Sequence, residues 1–415
     1  MKRYQDLYDG LPRPSLSDSN RRAEAILPRW KVLLSGIFFS LVIFADASFA
    51  QSSAVKLGAE DVKFFQKLGR KIEPDLKGNA ARLNQYVRFY EKELANDARL
   101  FAFNVQASAD GEGPVTLSGH VEFPEHRDAI EKLLITLGFS SVKNQIAMLP
   151  DPNLGAKRFG VVRVANSLSY DSPNSKEVVT ECLLGEPLFL LKKVGDYYLT
   201  HAGEGYLGYV AANDVLLMSE KQFTSYMKTT RGRLLRDKEF DNSKLPAGAL
   251  LEVISTDDGE TSVVGVQGEM PHLNVDDLHH RDRSKEIDKV VGTGMKFIGT
   301  RYLWGGKTSA GIDCSGLVQV AYGASGFHLP RDSNQQVYLG RLSATRWCPS
   351  TMQRGDTMYF LGSRGRIRHT AIYLGDDQYL QAESPVACIT SLNPEDKNYD
   401  ARRHATFAFA KRLID

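Results

Sequence analysis

The sequence predicts a multidomain α+β protein, and three observations carry that prediction. At 415 residues the chain exceeds what one hydrophobic core usually organises, so roughly two to four domains are expected. Segments with apolar residues at helical spacing are interspersed with segments in which alternate residues are apolar, so helices and strands both occur. Hydrophobic content of 42% with 25% charged residues is that of folded protein rather than a disordered chain. The formal net charge is +2, from 52 basic and 50 acidic residues, and no Lys/Arg block stands out, which argues against a nucleic-acid partner.

Residues 1–50 differ from the rest. The basic "RRAEAILPRWK" precedes the uncharged apolar run "VLLSGIFFSLVIF", and Ser48 and Ala50 stand at the small-residue positions of a cleavage site before Gln51. This order describes a secretory signal. The apolar run is shorter than the ~20 residues that span a bilayer, which favours a cleaved signal over a retained membrane anchor. Export to the periplasm or cell envelope is therefore expected and peripheral envelope association stays open, while no cysteine near the site offers a lipid attachment point.

Export bears on Cys182, Cys314, Cys348 and Cys388. Their spacing contains no CxxC pair and no zinc pattern, so neither a metal nor another cofactor is expected. Cys348 and Cys388 could pair in an oxidising compartment, while Cys182 in "VVTECLLGE" reads as core. The sequence carries no signal for oligomeric state.

Residues 51–152 begin with two amphipathic helices, marked by Val62, Phe64, Phe65 and Leu68 and by Leu83, Tyr86, Val87 and Tyr90. "FAFNVQA", a DGEG turn and "VTLSGHV" predict a hairpin. A helix through Ala129, Ile130, Leu133 and Leu134 and a strand in "SVKNQIAML" complete the segment. "GPVTLSGHV" and the closing V-x-N-x-I resemble the BON module of bacterial envelope proteins, which implies a binding or spacer element; a plain α+β packing domain fits the same pattern.

Residues 156–220 form a run of short strands separated by Gly, Asn and Asp turns, the pattern of a small β-barrel. "GDYYLTHAGEGYLGYV" resembles bacterial SH3-like domains. Residues 221–280 contain a second, degenerate copy from Leu245 onward, preceded by the polar "SYMKTTRGRLLRDKEFDNSK", expected to be a linker or embellishment.

Residues 281–415 carry the chemistry. Ile287, Val290, Val291, Met295 and Ile298 predict one buried helical face. Asp313-Cys314-Ser315-Gly316 opens a second, apolar helix. A cysteine in the first turn of a helix meets unpaired N–H groups and the positive end of the dipole, which favour thiolate and predict a lowered thiol pKa. His369 begins an alternating strand, where an imidazole can take the thiol proton and return it to a leaving amine. Twelve residues on, Gln381 can hold the other ring nitrogen.

"GTRYLWGG", "GIDCSGLVQ", "LPRDSNQQ", "QRGDTMYF" and "RHTAIYLG", in this order, are similar to the motifs of NlpC-type papain-like cysteine peptidases of bacterial cell walls. The resemblance covers about 285–413. It implies hydrolysis of the γ-D-glutamyl–diamino acid bond of peptidoglycan stem peptides, with Cys314 as nucleophile, His369 as base and Gln381 in the third polar position, commonly a second histidine. It also implies that Tyr302 lies beside the thiol and supports the oxyanion. Asp313 and Ser315 match positions that clamp the free amine of the substrate's L-alanine in members with SH3-like domains, so short peptides with a free N-terminal L-Ala are the expected preference.

Plainer readings stand beside these. Cys314 can be a structural thiol, His369 a strand-end histidine and Gln381 a surface residue, while Tyr302 and Trp304 can wall the core. Arg331 reads as an ion-pair or cap residue and Asp356 as a turn residue. The same fold can also serve a thioester-forming amidase or acyl transferase, or a non-catalytic wall-binding protein.

Overall fold

The computed structural model describes residues 57–414 apart from 96–98, 112, 230, 241–242, 258–259, 266–267, 270–272, 275–276 and 280–282. The expected signal or anchor in 1–50 lies outside the described residues. The architecture is mixed α+β, built on four principal sheets.

The first sheet belongs to a module with helices α1 (Ala59–Gly69), α2 (Leu83–Tyr90) and α3 (Pro124–Thr136). Strands β1 (Phe103–Ala109) and β2 (Val115–Val121) form the expected antiparallel hairpin, and β3 (Val142–Asn144) and β4 (Ala147–Met148) pair with β2 in parallel. Burial alternates along β1, and its inward Val105 packs with Phe65, Leu68, Tyr86, Ile130 and Leu134. The helical spacings that bring these side chains to one face are those read from the sequence.

The second sheet runs β11-β5-β8-β9-β10-β6-β7. Its strands are β5 (Phe159–Val162), β6 (Asn166–Tyr170), β7 (Val178–Leu183), β8 (Pro187–Val194), β9 (Tyr197–Ala202), β10 (Tyr206–Ala211) and β11 (Val215–Met218). The expectation of a closed barrel is corrected here. End strands β11 and β7 each bond one neighbour, so the sheet is open. Cys182, on β7, is fully buried.

The polar segment 225–244, expected to be a linker or embellishment, is built into the fold: it supplies the end of a helix, a strand of the third sheet and a small hairpin. Ser219 and Gln222 make a capping box that starts α4 (Glu220–Lys228). Phe223 and Met227, four residues apart, bury one face of that helix. β12 (Arg231–Leu234) then sits inside the third sheet, ordered β17-β16-β15-β12-β19, with β18 also on β16. Its other strands are β15 (Leu250–Asp257), β16 (Glu260–Gly265), β17 (Gly268–Glu269), β18 (Leu273–Asn274) and β19 (Leu278–His279), while β13 (Lys238–Phe240) and β14 (Ser243–Leu245) form a separate hairpin. This sheet is open as well.

The last module places α5 (Arg283–Met295) and α6 (Cys314–Gly323) against a six-stranded sheet ordered β22-β27-β23-β24-β25-β26. Between the helices runs a short hairpin, β20 (Lys307–Thr308) and β21 (Gly311–Ile312), and α7 (Ser333–Gln336) follows. The sheet strands are β22 (Arg341–Thr345), β23 (Thr357–Leu361), β24 (Ile367–Gly375), β25 (Gln378–Ala382), β26 (Ala387–Ser391) and β27 (Phe407–Arg412), with α8 (Ala401–Thr406) before the last. Val290, Val318, Ala321 and Tyr322 of α5 and α6 pack with Ile372 of β24. Asp356 is more than a turn residue: fully buried, it accepts from Arg412 and Arg283 and ties α5 to β27. Met295 and Ile298 leave the predicted buried face, because the helix ends at Met295 and the chain turns through Gly299 at φ 81°. They are 37% and 45% exposed.

The modules share a core. Phe101 and Phe123 from the first, Phe159 and Phe189 from the second, Phe223 of α4, and Tyr359 and Phe409 from the last pack in one aromatic cluster. Beside it, the fully buried Glu122 carboxylate accepts from His201 Nε2 at 2.8 Å and from Trp347 Nε1 at 3.2 Å, joining three modules through one side chain.

Candidate active site

Asp313 is the N-cap of α6, so Cys314 begins the helix and lies at its positive end. A Cβ at Gly316 would stand 2.3 Å from the Gly306 carbonyl oxygen, so only glycine lets the Gly305–Gly306 loop close over this first turn. The Asp313 carboxylate accepts from the amides of Gly305 (2.7 Å) and Gly316 (2.8 Å). Arg331 grips it through both terminal nitrogens, at 2.6 and 3.0 Å, and also donates to Ser315 Oγ at 2.9 Å. Burial alone would raise the Asp313 pKa, but Arg331 and the two amides outweigh it and hold the group below its ordinary value. Arg331 is thus the cation that Asp313 faces in this structure.

The thiol departs from expectation. Cys314 is only 7% exposed, and desolvation raises its pKa. Hydrogen bonds from the Thr370 and Ser315 backbones pull the value down and the Asp313 charge pushes it up, so the sum lies above the ordinary thiol value. The helix dipole read from the sequence is real, but burial wins.

Thr370 follows His369 on β24, so its amide brings the thiol against the strand that bears the imidazole. His369 is buried, with Nε2 2.7 Å from Gln381 Oε1 on the neighbouring β25. Gln381 Nε2 donates in turn to Thr390 Oγ1 at 2.7 Å on β26. An amide oxygen can only accept, so the His369 proton resides on Nε2 and the Nδ1 lone pair is left to act as a base. Desolvation, assisted by the Arg403 charge, lowers the His369 pKa to about 3. Glu383, held by Arg402 and Arg403, only partly offsets this. Thiol and imidazole therefore rest uncharged at neutral pH.

Tyr302 is half-buried beside them, held by backbone bonds from its own amide to Pro385 and from Leu303 to Ile312. Burial first, then the Cys314 and Asp313 charges, push its phenol up to about 12, so it stays protonated and able to donate. Trp304 is no core wall: it is 77% exposed on the rim.

Cys314, Asp313, Ser315, Arg331, Asp332 and Ser333 share one cleft with Arg366 and Arg368 from the β23–β24 hairpin and Phe101 from the first module. Sequence reasoning did not find Phe101, Arg366 or Arg368, nor the supporting Thr370 and Thr390. The hairpin tip rests on the first module, where His126 Nε2 donates to the Gly365 carbonyl at 2.7 Å. All four cysteines are free thiols, Cys348 and Cys388 included. Among the described residues no group of three or more His, Cys, Asp or Glu is placed to hold a metal.

A family model described as NlpC/P60 family matches residues 299–404. The chain is 33% identical over 135 residues to a protein of Escherichia coli (strain K12) named murein DD-endopeptidase MepS/murein LD-carboxypeptidase, covering 32% of this chain and 69% of that one. It is 28% identical over 244 residues to dipeptidyl-peptidase 6 of Lysinibacillus sphaericus, covering 54% and 86%. It is 26% identical over 231 residues to a Bacillus cereus protein named gamma-D-glutamyl-L-lysine dipeptidyl-peptidase, covering 50% and 68%.

Proposed function

The chain belongs to the NlpC/P60 family of cysteine peptidases acting on peptidoglycan, and from that premise we propose that it hydrolyses the γ-D-glutamyl–diamino acid bond of peptidoglycan stem peptides. One observation carries the reading: Cys314 at a helix start, against the strand where Gln381 holds His369 with Nδ1 free. The Cys314 proton passes to His369 Nδ1 as Sγ attacks the γ-carbonyl carbon. The oxyanion gathers donation from the Cys314 backbone N–H and the Tyr302 hydroxyl. Collapse breaks the C–N bond, and the leaving amine takes the proton from Nδ1. Water then attacks the thioester, returning a proton through His369 and releasing the γ-glutamyl carboxylate.

Ser315 and Tyr302 support recognition of a free N-terminal L-Ala. Because Arg331 already occupies Asp313, the preference for that amine should lie near the lower end of the roughly ten- to hundredfold range of a charge-assisted contact. The leader in 1–50 supports export to the periplasm or envelope, and the BON-like and SH3-like resemblances support wall association by the modules that precede the peptidase.

The test is mass spectrometry of muropeptides incubated with the purified protein. New fragments ending in D-glutamate, absent with Cys314→Ala, are expected; cleavage only at other bonds would refute the reading. Adding an N-acetyl group to L-Ala-γ-D-Glu-diaminopimelate should slow cleavage, and equal rates would remove the amine preference.

A further inference from the structure

Helix α8 lays a buried cation against the catalytic strands. Arg403 is 8% exposed, and its guanidinium carbon lies 5.6 Å over the ring of Phe360 on β23. Phe360 stands opposite His369 in the β23–β24 register, with ring centres 5.5 Å apart, so the cation and the imidazole share one aromatic neighbour. Glu383, two residues past Gln381, fixes the cation: its carboxylate accepts from Arg403 Nε at 3.0 Å and from Nη2 at 2.6 Å. Asp400 caps α8 by accepting from the Arg403 amide at 3.0 Å, so the backbone is held as well. Arg402 donates to the same Glu383 at 2.6 Å from the solvent side, its own side chain 59% exposed.

Stability does not require this arrangement. A buried ion pair is often no more stable than apolar packing of the same volume, and Phe360 already packs with Tyr379 and Phe407. A fixed charge, however, acts strongly over distance where solvent is excluded. Among the described residues, the charged groups that reach His369 are Arg403 and Arg402 of α8 and Glu383 after β25. Gln381 of β25 is neutral, Phe360 of β23 is apolar, and the Cys314 thiol of α6 rests uncharged. Arg403 outweighs Glu383 at the imidazole, and its charge also reaches the thiol, where it favours thiolate.

Resting on the peptidase mechanism above, we propose that Arg403, held by Glu383, is a positioning residue that keeps the His369 base uncharged at acidic pH and lets cleavage continue there. Once His369 has taken the Cys314 proton, the same cation raises the energy of the imidazolium, which drives the proton on to the leaving amine. Gln381 orients the ring, and Arg403 sets its charge.

The test follows the ring titration of His369 by NMR in the full chain with 13C-labelled histidine, from pH 3 to 7. His369→Gln assigns the signal, and circular dichroism verifies the fold at each pH. Arg403→Gln should move the midpoint upward, by about threefold or more in proton affinity. Arg403→Lys keeps the charge and should stay near wild type. Glu383→Gln removes the opposing charge, so its midpoint should stay at or below that of wild type, whereas loosened packing would raise it in both glutamine variants. Equal midpoints in wild type and Arg403→Gln, or a rise in both glutamine variants, would overturn the proposal. The acid limb of kcat/KM on L-Ala-γ-D-Glu-diaminopimelate should follow the NMR midpoint across the variants, and a limb that stays fixed would overturn the catalytic role. Failure of wild type to cut this peptide at any pH would instead sink the stem-peptide reading, while the ring titration still decides whether Arg403 sets the charge on His369.

Discussion

Gln381 Oε1 lies 2.7 Å from His369 Nε2 across neighbouring strands, and the same amide reaches Thr390 at 2.7 Å on the strand beyond. The orienting group is thus held from behind, and the base nitrogen is specified by an acceptor that cannot take the proton itself. Gln381→Ala should lower kcat by roughly ten- to a hundredfold, the equivalent of one buried hydrogen bond of about 1–3 kcal/mol, and leave measurable turnover. Thr390→Val should cost less. Initial rates on a stem tripeptide decide it; a Gln381→Ala protein as inactive as His369→Ala would mean that Gln381 does more than orient.

Cys314→Ala and His369→Ala should each abolish turnover, and the double variant should be no worse than either, since nucleophile and base act as a unit. Muropeptide cleavage by Cys314→Ala at the wild-type rate would refute the assignment.

Burial of His369 couples activity to acid stability. Its pKa falls from about 6.5 in the unfolded chain to about 3 in the fold, so between these values the unfolded state binds a proton that the native state refuses. Stability should therefore fall as pH drops from 6.5 toward 3, by up to about 1.4 kcal/mol per pH unit from this residue. His369→Gln should flatten that slope in urea titrations at pH 4, 5 and 6. An identical slope in both proteins would show that His369 can charge in place.

The raised Cys314 pKa predicts slow alkylation at neutral pH. Iodoacetamide labelling, followed by peptide mapping to separate Cys314 from the half-buried Cys388, should accelerate only above the ordinary thiol range. A plateau already reached at pH 7 would contradict the uncharged resting pair.

Glu122→Ala should destabilise the whole chain by roughly 3–5 kcal/mol, because it leaves His201 and Trp347 donors buried without an acceptor. A denaturant midpoint within error of wild type would show that the three-module contact contributes nothing.

What could be read from the sequence was local. Cys314, His369 and Gln381 announce themselves by flanking residues, order and strand alternation, and the first module's helices and hairpin follow from spacing alone. Phe101, Arg366 and Arg368 gain their place only when two modules dock, which no window of sequence encodes. The lowered thiol pKa failed for a related reason: a helix start is visible at Asp313-Cys314, whereas the strand whose Thr370 backbone meets Sγ lies more than fifty positions along the chain. Residues 225–244 looked like a linker because charge hid Met227, whose i, i+4 partner Phe223 lies just before that stretch. Barrel closure also escaped, since strand count and turn spacing are the same in an open sheet.

The aromatic cluster joining Phe101, Phe159, Phe223 and Phe409 bears on how such a protein can change over generations. A recombination joint between the central strands and the peptidase would separate rings that complete one another and leave both halves with sticky, water-facing aromatics. Cutting the chain between the central strands and the peptidase is therefore expected to destabilise both halves unless other apolar groups cover the same rings.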